Sequence, residues 1–200
     1  MQLHKRDVVE AATALLDNYG IADLSMRRLA RELAVSPGAL YWHFANKQQL
    51  LGAVADRILQ PVMQPIDSQA NPPPEPGHWR ESIARTCEQL REALLSYTDG
   101  AELVSASFAA GQSTAMSNVL AQLSAAAAEA GVASSHAELA ARSVIYYALG
   151  FTADEQSRMQ WDAAGADVTH TIWTENPNAR FAFGLSLLVD GIATHSRADV

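Results

Sequence analysis

Cysteine, lysine and long apolar runs are all scarce in this chain of 200 residues. Cys87 is the single cysteine, so no disulfide can form within the chain, and a reducing cytoplasm is the expected setting. The opening MQLHKRDVVEAA has no apolar core of the kind a secretory signal needs. No apolar run approaches the roughly 18 residues of a membrane span, so no membrane partner is expected. No stretch alternates apolar and polar residues as a half-buried strand does, and no internal repeat appears. A Gly-rich phosphate loop, a Gly-x-Ser-x-Gly elbow and a His-Glu-x-x-His motif are all missing. The six histidines, at 4, 43, 78, 136, 170 and 195, never pair at metal-ligand spacing on one helix. The expectation is a chain without catalytic residues, metal or cofactor.

What is present is hydrophobic residue, at 48% of the chain against 18% charged, enough to build a packed core. Net charge is −8, which by itself disfavours a nucleic-acid partner. Its distribution is uneven. Through Gln60 there are seven Lys and Arg against six Asp and Glu, so this head carries +1 and the remainder −9. Both lysines, Lys5 and Lys47, lie in the head. An acidic body with a near-neutral head turns its head toward a polyanion, although ordinary surface variation accounts for the same numbers.

Apolar spacing predicts an all-α fold of about nine or ten helices. Residues 1–60 contain four short helices, the makings of a three-helix helix-turn-helix domain. Val8, Ala12, Leu15, Leu16 and Tyr19 form the first stripe, and Gly20 stops it. Ser25 caps a helix carrying Met26, Leu29, Ala30 and Leu33; Ser36-Pro37 opens a short one; Asn46 caps another with Leu50, Leu51, Val54 and Ile58. Prolines at 61, 65, 72, 73, 74 and 76 make 61–77 a connector. The body, 78–200, is predicted to hold helices over Trp79 to Tyr97, Ala101 to Ala110, Met116 to Ala130, Ser135 to Ala153 and Asn178 to His195, with a long polar loop from Gln156 to Asn176 that has room for one helical piece. Cys87 reads as a small buried hydrophobe and Asp154-Glu155 as a solvated helix end. The last helix is apolar on two sides: Phe181, Leu185, Leu188 and Ile192 form one stripe, and Ala182, Phe183, Val189 and Ala193 widen it. A terminal helix of that kind needs two neighbours. With the helix over 135–153, its spare face would build a two-fold four-helix bundle with a second copy.

The strongest functional signal is LSMRRLARELAVSPGALYWHFANKQQLL, Leu24 to Leu51. It spells two short helices around a tight turn. Leu29, Leu33 and Val35 face inward, with Leu40 and Phe44 beneath the second helix. Tyr41 and Trp42 are either core aromatics of an ordinary helical domain or surface groups that enter a DNA groove about 12 Å wide. The pattern Leu29-Ala30, Leu40-Tyr41, His43-Phe44, Lys47 and Leu50-Leu51 resembles the DNA-binding domain of the TetR family. Tyr41-Trp42-His43, the stretch Ala93 to Ala101, Leu149-Gly150 ahead of Asp154-Glu155-Gln156, and Phe183-Gly184-Leu185 are similar to the tetracycline repressor branch of that family. Ala34 departs from the pattern, which commonly has glycine there.

The resemblance implies DNA contacts at Met26, Arg27, Pro37, Gly38, Ala39, Tyr41, Trp42, His43 and Lys47, and a homodimeric repressor on a pseudo-palindromic double-stranded operator. It also implies an effector pocket at Met63, Thr86, Leu90, Val104, Ser107 and Asp154. Val104 stands where the branch has a metal-ligating histidine, and Met63 where it has a drug-clamping one. Thr86 and Leu90 replace an asparagine and a phenylalanine, and Ser107 a threonine. A small hydrophobic or aromatic effector is therefore expected rather than a tetracycline–magnesium complex. Two rival readings stand beside this one. An all-α enzyme with the helix-turn-helix as a packing module would need a titratable cluster in its pocket. A DNA-binding protein without ligand sensing would lack a cavity.

Overall fold

A computed structural model describes residues 3–63, 77–166 and 176–198. Most of the proline-rich connector, and the segment holding His170, lie outside the described residues. Among the described residues there are ten helices and no strand. The head contains α1 (Lys5–Tyr19), α2 (Met26–Glu32), α3 (Pro37–Tyr41) and α4 (Lys47–Ile58), followed by a single turn, α5 (Gln60–Met63). The body contains α6 (Trp79–Leu95), α7 (Gly100–Ala109), α8 (Thr114–Glu129), α9 (Ser134–Ala163) and α10 (Pro177–Ala198). α9 is the central element, packed against α6, α7, α8 and α10.

The helix starts follow from their caps. Ser25 Oγ accepts from the Arg28 N–H at 3.2 Å, and Asn46 Oδ1 from the Gln49 N–H at 2.9 Å. Gln49 Oε1 in turn accepts from the Ala45 N–H at 3.1 Å, tying the residue before the cap to the first turn. Asn176 Oδ1 does the same service for Ala179 at the start of α10. At the end of α2, Ala34 sits at φ 53°, and the Val35 N–H reaches the Ala30 carbonyl at 2.9 Å. This is the left-handed stop that glycine makes most readily. Pro61 falls inside the first turn of α5, where its missing N–H costs nothing.

The first part of the predicted polar loop is helical instead: α9 continues from Gln156 to Ala163, and the rest of that segment from 167 to 175 lies outside the described residues. The cause is a set of long-range hydrogen bonds. Gln156 Nε2 donates to the carbonyls of Leu94 (2.9 Å) and Tyr97 (2.7 Å), and its Oε1 accepts from the Ala101 N–H at 3.0 Å. One buried amide thus satisfies three backbone groups of the α6–α7 turn. Arg158 pairs with Asp154 one turn back and supports the extension.

Head and body meet along α4. Gly52 packs so tightly that a Cβ there would collide with the Gln112 carbonyl oxygen. One turn on, Asp56 Oδ1 accepts from Ser113 Oγ at 2.7 Å and from the Ala115 N–H at 2.9 Å. At the other edge Asp17 accepts from the Thr98 N–H, and Asp99 from the Ile21 N–H at 2.9 Å. Replacing Ala34 by glycine should stabilise the protein by about 0.5–1 kcal/mol, by relieving a left-handed Cβ. Asp56→Ala should destabilise it by about 1–3 kcal/mol, by leaving donors at the start of α8 unpaired. Urea midpoints at unchanged slope measure both.

Candidate nucleic-acid interface and effector region

The helix-turn-helix is assembled from the inside. Leu29, Ala30, Leu40 and Phe44 are buried, and Leu33 and Val35 are half-buried against them. Leu40 and Phe44, one turn apart, hold α3 and its exit down on the core. The opposite side is thereby left outward. Tyr41 is 52% exposed and Trp42 90%. Their solvent-facing position decides between core aromatic and surface group. Arg27, Pro37 and Gly38 are exposed on the same head; Ala39, His43 and Lys47 are half-buried. Arg28 is braced against the Tyr19 ring at 4.0 Å and paired with Asp23.

Met26 is placed differently from the other expected contacts: it is only 8% exposed and packs into the head's core. The reason is helical phase: Met26, Leu29 and Ala30 share the i, i+3, i+4 face that turns inward.

In the body, Thr86 and Leu90 on α6 and Val104 and Ser107 on α7 are all buried. Thr86 Oγ1 spends its hydrogen on the Ser82 carbonyl at 2.8 Å. Ser107 Oγ has no hydrogen-bond partner among the described residues. A buried hydroxyl without a partner costs about 1–3 kcal/mol unless something else satisfies it. Met63, at the end of α5, is partly exposed.

Asp154 does not join this group. It projects outward from α9 and pairs with Arg158 at 2.8 Å, while Thr152 and Gln156 take the inward face. Its neighbour Glu155 corrects the expectation in the other sense. Glu155 is not solvated: both of its oxygens are held by the Arg91 guanidinium, at 2.9 Å from Nε and 2.7 Å from Nη2. Arg91 also donates to Asn178 Oδ1 at 2.9 Å and faces the Phe181 ring at 5.2 Å. This bidentate pair joins α6, α9 and α10 and lies outside the expectations from sequence. The one signal for it in the sequence is an arginine inside the Cys87, Leu90, Leu94 stripe. Among the described residues, no group of three or more His, Cys, Asp or Glu side chains is placed to hold a metal ion. No described helix is long and apolar enough to cross a membrane.

The outer faces of α9 and α10 carry Leu139, Tyr146, Phe183 and Leu187, all exposed. Between them runs an apolar groove of about 450 Å³, flanked by His136 and His195.

The comparisons with known proteins agree with this architecture. Residues 8–54 match the bacterial regulatory proteins of the tetR family, and residues 71–172 the tetracyclin repressor-like C-terminal domain. The chain is 30% identical to the tetracycline repressor protein class C of Escherichia coli, over 96% of this chain and 91% of that protein. It is similar to the crystal structure of BioQ from Mycobacterium smegmatis, at 59% identity and a TM-score of 0.85, covering 97% of this chain and 99% of that one. A structure of BioQ with its natural double-stranded DNA operator matches at 57% identity and a TM-score of 0.80, over 97% and 100% of the two chains. The chain therefore belongs to the TetR family and is a DNA-binding transcriptional regulator with an N-terminal helix-turn-helix. The tetracycline-repressor likeness legible in the sequence holds over most of its length, and BioQ shares more identity with it.

Cys87 is fully buried on α6, and burial first, then the nearby Glu88 carboxylate, pushes its thiol up to about 12. A buried neutral thiol is neither nucleophile nor metal ligand. At pH 8 the folded protein should leave a thiol reagent such as DTNB unreacted, and denaturant should release one equivalent of colour; rapid reaction of the native protein would contradict this burial.

Proposed function

We propose that this protein is a cytoplasmic, homodimeric repressor that holds a pseudo-palindromic operator until a small hydrophobic or aromatic effector enters the body. The observation that carries the reading is the pair Tyr41 and Trp42, exposed on a short helix that Leu40 and Phe44 pin to the core. An aromatic pair so exposed needs a partner. The similarity to BioQ, whose structure with its double-stranded operator has been solved, supports DNA as that partner. Arg27, Lys47 and Tyr41 would reach phosphates, and Pro37, Gly38 and Ala39 would let the helix approach base edges such as thymine methyls. Two heads set roughly 34–36 Å apart would occupy successive major grooves.

The exposed apolar residues of α9 and α10 support a dimer built on those two helices. An effector would sit near Thr86, Leu90, Val104 and Ser107, where the unpaired Ser107 hydroxyl favours a ligand carrying one hydrogen-bond acceptor among apolar surface. Val104 and Leu90 offer nothing to a metal or a polar drug edge, which separates this effector from tetracycline–magnesium. The effector can move the head equilibrium only by its differential affinity for the two head spacings.

A mobility-shift titration on duplexes selected by the protein from a random pool tests the reading, and failure to select any duplex would overturn it. Tyr41→Ala should weaken operator binding about 10–100-fold, the worth of one good contact, with the dimer intact by sedimentation. Leu187→Glu should instead yield monomers and lose operator binding through lost pairing of the heads. Tetracycline with Mg²⁺ should not release the complex.

A further inference from the structure

Lys5 and Lys47 are the only lysines of the chain and lie far apart in sequence. The fold nevertheless brings both to one place, the exit of α3. Lys5, the first residue of α1, holds its ammonium 4.9 Å from the centre of the Phe44 ring. Phe44 follows His43 directly, and Lys47 opens α4 three residues later. The Phe44 ring is buried, so the Lys5 stem lies along the rim of the head's core while the residue as a whole remains exposed.

Two other cations of the head, Arg6 and Arg28, are compensated. Arg6 lies 3.7 Å from Asp7 and 3.6 Å from Glu10, and Arg28 is paired with Asp23. Asp7 also accepts from the His4 N–H. The carboxylates closest to Lys5 in sequence are therefore engaged elsewhere. Among the described residues no carboxylate pairs with either lysine. Cation–π contact with Phe44 contributes about 0.5–1 kcal/mol at an exposed site, which explains where the stem rests but leaves the ammonium charge unmatched. One ammonium resting on Phe44 and a second lysine opening α4 three residues later, neither paired with a carboxylate in a chain of net charge −8, fit a polyanion strand at the exit of α3.

We infer that Lys5 is a DNA phosphate contact, gripping with Lys47 the backbone strand that passes the C-terminal end of α3. The assignment rests on the operator-binding reading above. It adds α1 to the binding surface, which the helix-turn-helix pattern alone does not include. A phosphate contact positions the protein and carries no base information. Its loss should weaken operator and random duplexes by the same factor.

The salt dependence of binding separates this role from packing. Each phosphate contact contributes about 0.9 to the slope of log Kobs against log salt on B-DNA. A dimer loses two contacts per substitution, so Lys5→Gln should flatten the slope by about 1.8. Between 50 and 200 mM salt, wild-type affinity should then fall about tenfold more steeply than that of the variant. Lys47→Gln should flatten it equally, and Lys5→Arg should restore the wild-type slope. The probe is a duplex selected by the wild-type protein, with a random duplex of equal length beside it. Thermal melting of each variant reads the packing contribution separately. A Lys5→Gln slope equal to wild type, whatever its melting temperature, would overturn the assignment and leave Lys5 as a cover for Phe44. A wild-type protein that binds neither duplex would overturn the operator reading, and this assignment with it.

Discussion

Asp56 reaches across the seam between head and body and takes two hydrogen bonds at the start of α8, from the Ser113 hydroxyl and the Ala115 amide. The first turn of a helix carries amides with no partner of their own and the positive end of its dipole. A carboxylate is the group best suited to both. Because the carboxylate belongs to α4, the end of the head is fixed to the turn that joins α7 and α8. Gly52, one turn earlier, brings the α4 backbone against Gln112 in that same turn. At the far edge, Asp17 and Asp99 fasten α1 and its exit to the α6–α7 turn. The head is thus held by carboxylates on backbone amides at two turns of the body, and both turns flank α7, which carries Val104 and Ser107. Whatever displaces α7 must be felt at both attachments.

The body meets the same demand from within. Asp99 is in the left-handed region at φ 55° and also receives the Gln160 amide from α9. Gln156 satisfies three backbone groups of the turn that Asp99 closes. Arg91 and Glu155 tie α6 to α9 a little further along, and Asn178 adds α10. A buried ion pair is not by itself evidence of stability, because desolvation offsets much of its attraction. Its geometric demand is the useful part: three helices must meet at one guanidinium. The helices that present the exposed apolar faces are therefore linked, through single residues, to the turn that positions the head.

Local physics made much of this legible in advance. Ser25 and Asn46 mark helix starts within a residue, because a cap acts on amides two or three positions away, while Ser36 makes no cap hydrogen bond and the α3 start rests on Pro37 at the first helical position. The inward faces of α1 and α4 follow from spacing, except for Tyr19, which is exposed at the end of its stripe. The errors share a cause. Gln156 looked like the start of a polar loop because its partners, Leu94, Tyr97 and Ala101, lie more than fifty residues back. Asp154 and Glu155 looked alike as neighbours, yet a helix turns one outward and the other in. Met26 is a residue whose inward phase, shared with Leu29 and Ala30, likeness to a pattern does not reveal. Gly52 and Asp56 carry no local signal, since nothing on their own helix requires them.

The close approach at Gly52 also bears on ancestry and on engineering. The helix-turn-helix reads as a portable module, yet its fourth helix is cut to the shape of one particular body. A head transplanted from a relative with alanine at this position would bring its methyl group into the Gln112 carbonyl and could not seat, however well it recognised its own DNA. Productive chimaeras would have to be joined before Gly52, so that α4 from that residue on travels with the body. By that criterion the inheritable unit of recognition is shorter than the domain that displays it.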